Sequence, residues 1–129
     1  MRIEDYFERV RQALAACLVV QSFNVAYDKR GSHEGFIQGQ IYFVDGSILH
    51  LREYVDAETT FDRLAYVYQY VTSTGQLVFR YDNSGHHKKL KLRTYPHHKH
   101  ASGEENVVES PAPELAAVLQ EIETLVQLP

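Results

Sequence analysis

The stretch GFIQGQIYFVDGSILHLREYV, residues 35–55, decides the architecture. Two apolar-rich runs, 35–44 and 47–55, flank Asp45-Gly46. Asp-Gly suits the positive φ angles of a tight turn, so the stretch reads as a β-hairpin. A two-residue loop would set Tyr42 opposite Leu49, Gln40 opposite Leu51 and Gln38 opposite Glu53; another loop length shifts that register. Working outward, residues 61–72 and 76–83 form a second hairpin around Gly75. Tyr66, Tyr68 and Tyr70 share one face there, and Arg80 and Asp82 share the face opposite Leu77, Phe79 and Tyr81. Upstream, residues 19–28 read as a strand ending at Asp28-Lys29-Arg30-Gly31.

Helices close both ends. Ile3, Tyr6, Phe7, Val10, Leu14, Cys17 and Leu18 recur at three- and four-residue steps, predicting an amphipathic helix over 3–18. Leu115, Val118, Leu119, Ile122, Leu125 and Val126 predict a second over 112–127, introduced by Ser110-Pro111-Ala112-Pro113. The expected fold is α+β: an antiparallel meander of about five strands flanked by an N-terminal and a C-terminal helix. Residues 1–129 form one domain in this reading, because 129 residues suffice for a single core. Apolar residues make up 44% and charged residues 23%, which excludes wholesale disorder. The single cysteine, Cys17, excludes an internal disulfide framework. The longest apolar run, Ala13 to Val20, is too short to span a bilayer, where about 20 residues are needed. A cytoplasmic protein with no membrane association is expected.

Charge is unevenly placed. Arg80 to His100 holds six bases against one acid, +5, inside a chain of net charge −4. Five of the seven histidines lie there too: His86, His87, His97, His98 and His100. A local cationic field is what an anionic partner meets. Lys88, Lys89, Lys91, Arg93 and Lys99 can track phosphates, with Tyr95 and imidazole rings available to stack on bases. Histidine also suits proton transfer near neutral pH. One neutral ring would take the proton of a 2′-hydroxyl and a protonated one would donate to the leaving 5′-oxygen. Arg80 or a lysine would stabilise the charged phosphorane-like state. The plain alternative is a solvated loop.

Metal binding competes for the same side chains. His98 and His100 are two residues apart, and Asp82 or Glu53 can add an oxygen ligand. Against it, no carboxylate lies in sequence among the five histidines, and the neighbouring cations repel another. No metal or other cofactor is therefore expected. Glu53, in phase with Leu49, Leu51 and Val55, needs a partner on its apolar face; an arginine from another strand would serve. Glu53 could orient Arg80 or a histidine, or make a strand-end salt bridge.

An ordered set of motifs carries a resemblance: FVDGS at 43–47, LREYVD at 51–56, YQY at 68–70, FRYDN at 79–83, His86-His87, and PHHKH at 96–100. From about residue 35 to residue 125 the chain resembles the TumE-type toxins of bacterial toxin–antitoxin systems, with RYDN and PHHKH the specific parts. The resemblance implies a small cytoplasmic toxin held inactive by an antitoxin encoded beside it. It also implies action on RNA, common for such toxins. Carried over by motif, the positions of interest are Glu53, Arg80, Tyr81, Asp82, Asn83, His86, His87, His97, His98 and His100.

The resulting expectation is a metal-independent ribonuclease. His86 or His87 acts with His98 or His100 as base and acid, and Arg80, Lys88 and Lys89 hold the phosphate. Glu53 and Tyr81 orient these groups, with Asp82, Asn83 and His97 in support. The runner-up is a non-catalytic module whose basic loop grips nucleic acid or an acidic protein. An exposed edge strand also offers a surface for a homodimer.

Overall fold

A computed structural model describes residues 1–59, 61–84, 94–101, 103 and 106–126. In chain order the elements are α1 (Ile3–Ala16), β1 (Val20–Lys29), β2 (Glu34–Phe43), β3 (Ile48–Asp56), β4 (Asp62–Val71), β5 (Leu77–Asp82), β6 (His98–Ala101), β7 (Val107–Glu109) and α2 (Leu115–Leu125). The strands form one antiparallel sheet in the order β1-β2-β3-β4-β5-β6-β7. Helices flank an antiparallel sheet as expected, but there are seven strands. The two extra ones, β6 and β7, lie between the second hairpin and α2. In β6 the residues buried in alternation are His98 and His100.

The hairpin register differs from a two-residue loop by one position. Tyr42 pairs with Ile48, Ile41 with Leu49 and Gln38 with Arg52. Phe43 N–H donates to the Ser47 carbonyl at 3.0 Å and Gly46 N–H to the Phe43 carbonyl at 3.0 Å, so Val44, Asp45 and Gly46 make the loop. Gly46 supplies φ +85°, and Asp45 Oδ1 accepts the Ser47 N–H at 2.9 Å. The hydrophobic pattern explains the choice. This register sets Leu49, Leu51, Glu53 and Val55 beside Ile41, Gly39, Ile37 and Gly35, whereas the other would match them with Gln40 and Gln38.

One face of the sheet carries Ile37, Ile41, Leu49, Leu51, Tyr68 and Phe79, all buried. They share a single core with Ile3, Tyr6, Phe7, Val10 and Leu14 of α1 and Leu115, Val118, Leu119 and Ile122 of α2. α2 begins three residues later than the apolar stripe suggested. Ala112 takes φ +54° and precedes Pro113, a position that disfavours helix.

The opposite face has a polar cross-strand row. Asn24, Gln40, His50, Gln69, Arg80 and His100 are successive register partners from β1 to β6. Beside it runs Ala26, Gln38, Arg52, Val67, Asp82, His98 and Glu109. Among the described residues, no helix is long and apolar enough to cross a membrane.

Candidate functional site

The two polar rows end in a cluster at β5 and β6. Asp82 and His98 are register partners, as are Arg80 and His100, so four chemistry-bearing side chains meet on one face. Asp82, His98 and His100 are almost wholly buried. Asp82 Oδ1 lies 2.8 Å from His98 Nε2 and accepts the Ser84 N–H at 3.0 Å. Asp82 Oδ2 accepts from Arg80 Nε at 3.2 Å and lies 3.7 Å from His100 Nε2. Arg80 Nη2 meets His100 Nε2 at 3.0 Å, and Nη1 reaches Gln69 Oε1 at 3.4 Å. The two imidazoles stand edge to face, centroids 5.0 Å apart.

The neighbours constrain the rings. A guanidinium only donates, so Arg80 Nη2 donates to His100 Nε2. A carbonyl only accepts, so His98 Nδ1 donates to the Pro96 oxygen at 3.0 Å. His98 Nε2 lies 2.8 Å from a carboxylate oxygen of Asp82. One imidazole thus accepts and the other donates, each toward a different neighbour.

The same donors bear on the metal question. Asp82, His98 and His100 offer ligand atoms within 4.8 Å of one another, and two imidazoles with a carboxylate form a set that zinc accepts. Absence of a carboxylate near the histidines is thus a property of the sequence and not of the fold: Asp82 sits between them. The guanidinium of Arg80 shares that space, so an arriving cation must displace it. A proton needs no such displacement.

Other expected residues lie elsewhere. Glu53 is fully buried on the helix-covered face, the side opposite Arg80 and His100, and so orients neither. Tyr6 Oη donates to Glu53 Oε1, and Tyr68 Oη donates to Oε2 at 2.8 Å. The anticipated arginine from another strand is Arg63 of β4, linked through Tyr68 Oη at 3.1 Å. Arg63 also donates to the carbonyls of Pro113, at 2.8 Å, and Ala112, at 2.7 Å. Burial pushes the Glu53 carboxyl up against the opposing pull of the two phenols. This network joins α1, β3, β4 and the approach to α2.

Tyr81 is on the helix-covered face as well, donating to Glu121 Oε1 at 2.7 Å, and Lys99 reaches Glu121 Oε2 at 3.0 Å. Lys99 is therefore tied to α2 and does not face the polar rows. His97 packs on Tyr66 with its Nδ1 2.8 Å from the phenol oxygen, and burial lowers its affinity for a proton. Burial also holds the Tyr66 phenol up at about 12. Asn83 closes the end of the β4–β5 ladder, accepting the Tyr66 N–H at 3.0 Å and donating to the Leu64 carbonyl at 3.1 Å. Tyr95 is largely exposed. His86, His87, Lys88, Lys89, Lys91 and Arg93 lie outside the described residues.

Sequence reasoning passed over the polar rows themselves. Asn24, Gln40, His50 and Gln69 border a concavity of about 540 Å³ that also takes in Gln38 and Arg52. The signal was the pair of amides, Gln38 and Gln40, set between Ile37 and Ile41 in β2, which reads equally as plain solvent exposure.

A sheet with one face sealed by two helices, and a basic and acidic corner on the other, defines a small α+β protein with a polar working face. The chain belongs to the family described as Toxin TumE, whose model matches residues 7–126. It is accordingly a toxin of a toxin–antitoxin system, and an antitoxin is its implied partner. No curated protein and no solved structure matches it.

Proposed function

We propose that this toxin acts on RNA as a metal-independent ribonuclease centred on His98, His100 and Arg80. The observation that carries the reading is the meeting of two adjacent imidazoles in opposite hydrogen-bond roles, one donating to Pro96 and one accepting from Arg80, beside the Asp82 carboxylate. In this scheme a scissile phosphate draws the Arg80 guanidinium away from His100 and frees the Nε2 lone pair. His100 then takes the proton of the ribose 2′-hydroxyl. The 2′-oxygen attacks phosphorus, the P–O5′ bond breaks, and His98 gives its Nε2 proton to the departing 5′-oxygen. The products are a 2′,3′-cyclic phosphate and a 5′-hydroxyl, with no water or metal consumed. Arg80 balances the extra negative charge of the transition state. Because both rings are buried, the corner must open to admit substrate.

The test uses purified toxin freed of antitoxin, with single-stranded RNA and a chelator. Cleavage with cyclic phosphate ends should persist under chelation. His98→Ala and His100→Ala should each lower the rate by about 100-fold or more, the usual scale for general acid–base groups. RNA affinity should be retained. His86→Ala and His87→Ala serve as the comparison: loss in these alone would move the base to that pair.

The burial of His98 and His100 also favours a second reading, a non-catalytic binding module in which the cluster is architectural. There, loss of toxicity in every variant follows loss of affinity, and salt titration accounts for both.

A further inference from the structure

The polar face contains a feature outside the acid–base corner. Phe36 of β2 and Tyr54 of β3 are register partners, half-buried, with ring centroids 4.5 Å apart and planes 11° from parallel. Their separation matches the spacing of adjacent strands, about 4.8 Å. The rings thus stand face to face across the strands. The Arg30 guanidinium, 5.0 Å from the Phe36 centroid, closes the outer end of this stack. At the inner end the register partner of Tyr54 is Ala65, small and exposed. The stack Arg30–Phe36–Tyr54 therefore stops where one more flat group would fit. A concavity of about 440 Å³ runs from Asp28 and Arg30 past Phe36 and Tyr54 to Arg52 and Ala65. Arg52 and Gln38 also border the larger concavity along the polar row.

We propose that the slot over Ala65, walled by Tyr54, is a nucleobase-stacking subsite for single-stranded RNA, a placement that rests on the RNA reading above. The base continues the aromatic stack. Arg52, next to Tyr54 on the same face of β3 and the register partner of Val67, is the cation nearest in the sheet for its phosphate. By strand spacing, Tyr54 in β3 stands roughly 14 Å from β6. A strand entering over Ala65 is led along Val67 and Gln69 to Arg80. A duplex cannot use the slot, because its bases are already stacked on one another.

The experiment measures binding separately from cleavage. The probe is a fluorescein-labelled, 2′-O-methyl single-stranded oligonucleotide, which lacks the hydroxyl that cleavage needs. Tyr54→Ala should weaken binding about ten-fold or more, the scale of losing one base–aromatic stack. Tyr54→Phe should restore wild-type affinity. Ala65→Phe, at an exposed position that tolerates a larger side chain, should weaken binding comparably by filling the slot. A probe with abasic sugars should bind wild type weakly and be indifferent to Tyr54→Ala. Wild-type affinity in both Tyr54→Ala and Ala65→Phe overturns the proposal, as does equal binding of a duplex or an abasic probe. Unmodified RNA then separates the two ideas. Tyr54-dependent binding without turnover leaves the slot standing and removes the acid–base scheme. Turnover with Tyr54-independent binding removes the slot alone.

Discussion

Asp82 does two jobs through two oxygens. Oδ1 faces His98 and Oδ2 receives Arg80. Replacing it by asparagine keeps the shape and removes the charge that Arg80 meets. Asp82→Asn should destabilise the fold in urea denaturation, because the Arg80 guanidinium loses its carboxylate; unchanged stability would remove Asp82 as its anchor. Glu53 makes a different residue-scale prediction. Burial holds its carboxyl above the ordinary value of 4.5, so the folded chain binds that proton more tightly than the unfolded chain does. The resulting stability is complete below 4.5 and is lost as pH rises through the folded value. Glu53→Gln has no proton to lose there. Its stability relative to wild type should improve between about pH 5 and about pH 8 in urea denaturation. A flat or reversed trend contradicts this.

At the scale of elements, two glycines separate two physical causes. A Cβ on Gly39 would sit 2.0 Å from the Asn24 carbonyl oxygen and 2.7 Å from Val25 Cα, both backbone atoms of β1. Gly39→Ala must push two paired strands apart, and we expect a loss of more than about 3 kcal/mol in chemical denaturation, or no folded protein. Gly75, at φ +88°, has nothing within 4 Å. Gly75→Ala strains the backbone alone and should cost about 1 kcal/mol. Equal costs at the two positions would show that close approach is not what Gly39 serves.

Elements also show what the sequence could reveal. Apolar periodicity located α1, β1 to β5 and α2 because their buried residues are hydrocarbon or aromatic. It missed β6 because imidazoles fill its buried positions, and it left the register of the first hairpin open because Asp-Gly serves loops of two residues and of three. The separate ingredients of the corner were legible as residue types. Their meeting was not: Asp82 and His98 become neighbours only through a strand that periodicity does not reveal. The Glu53 network was hidden for a related reason, since Tyr6 joins it from 47 residues away.

The whole molecule divides its two faces by task. Helices seal the hydrocarbon face, and the polar face carries the corner, the amide row and the aromatic stack. Charge is uneven along the sequence, with +5 over Arg80 to His100 in a chain of −4. An acidic segment of the antitoxin should therefore cover residues 80–100, because opposite potentials favour docking. Hydrogen exchange of the complex against the free toxin should show protection at Arg80–Asp82 and His98–Ala101. Protection confined to α1 and α2 would contradict it.

Every strand in this sheet hydrogen-bonds to its neighbour in the chain, without a crossover. A nascent polypeptide leaving the ribosome can therefore zip its sheet in the order of translation, each strand meeting its mate on emergence. The corner of Arg80, Asp82, His98 and His100 waits for β6, and the final helix of the core comes later still. Completion of the fold is thus deferred to the last part of synthesis, and a chain released early lacks both the corner and the helix that seals its core.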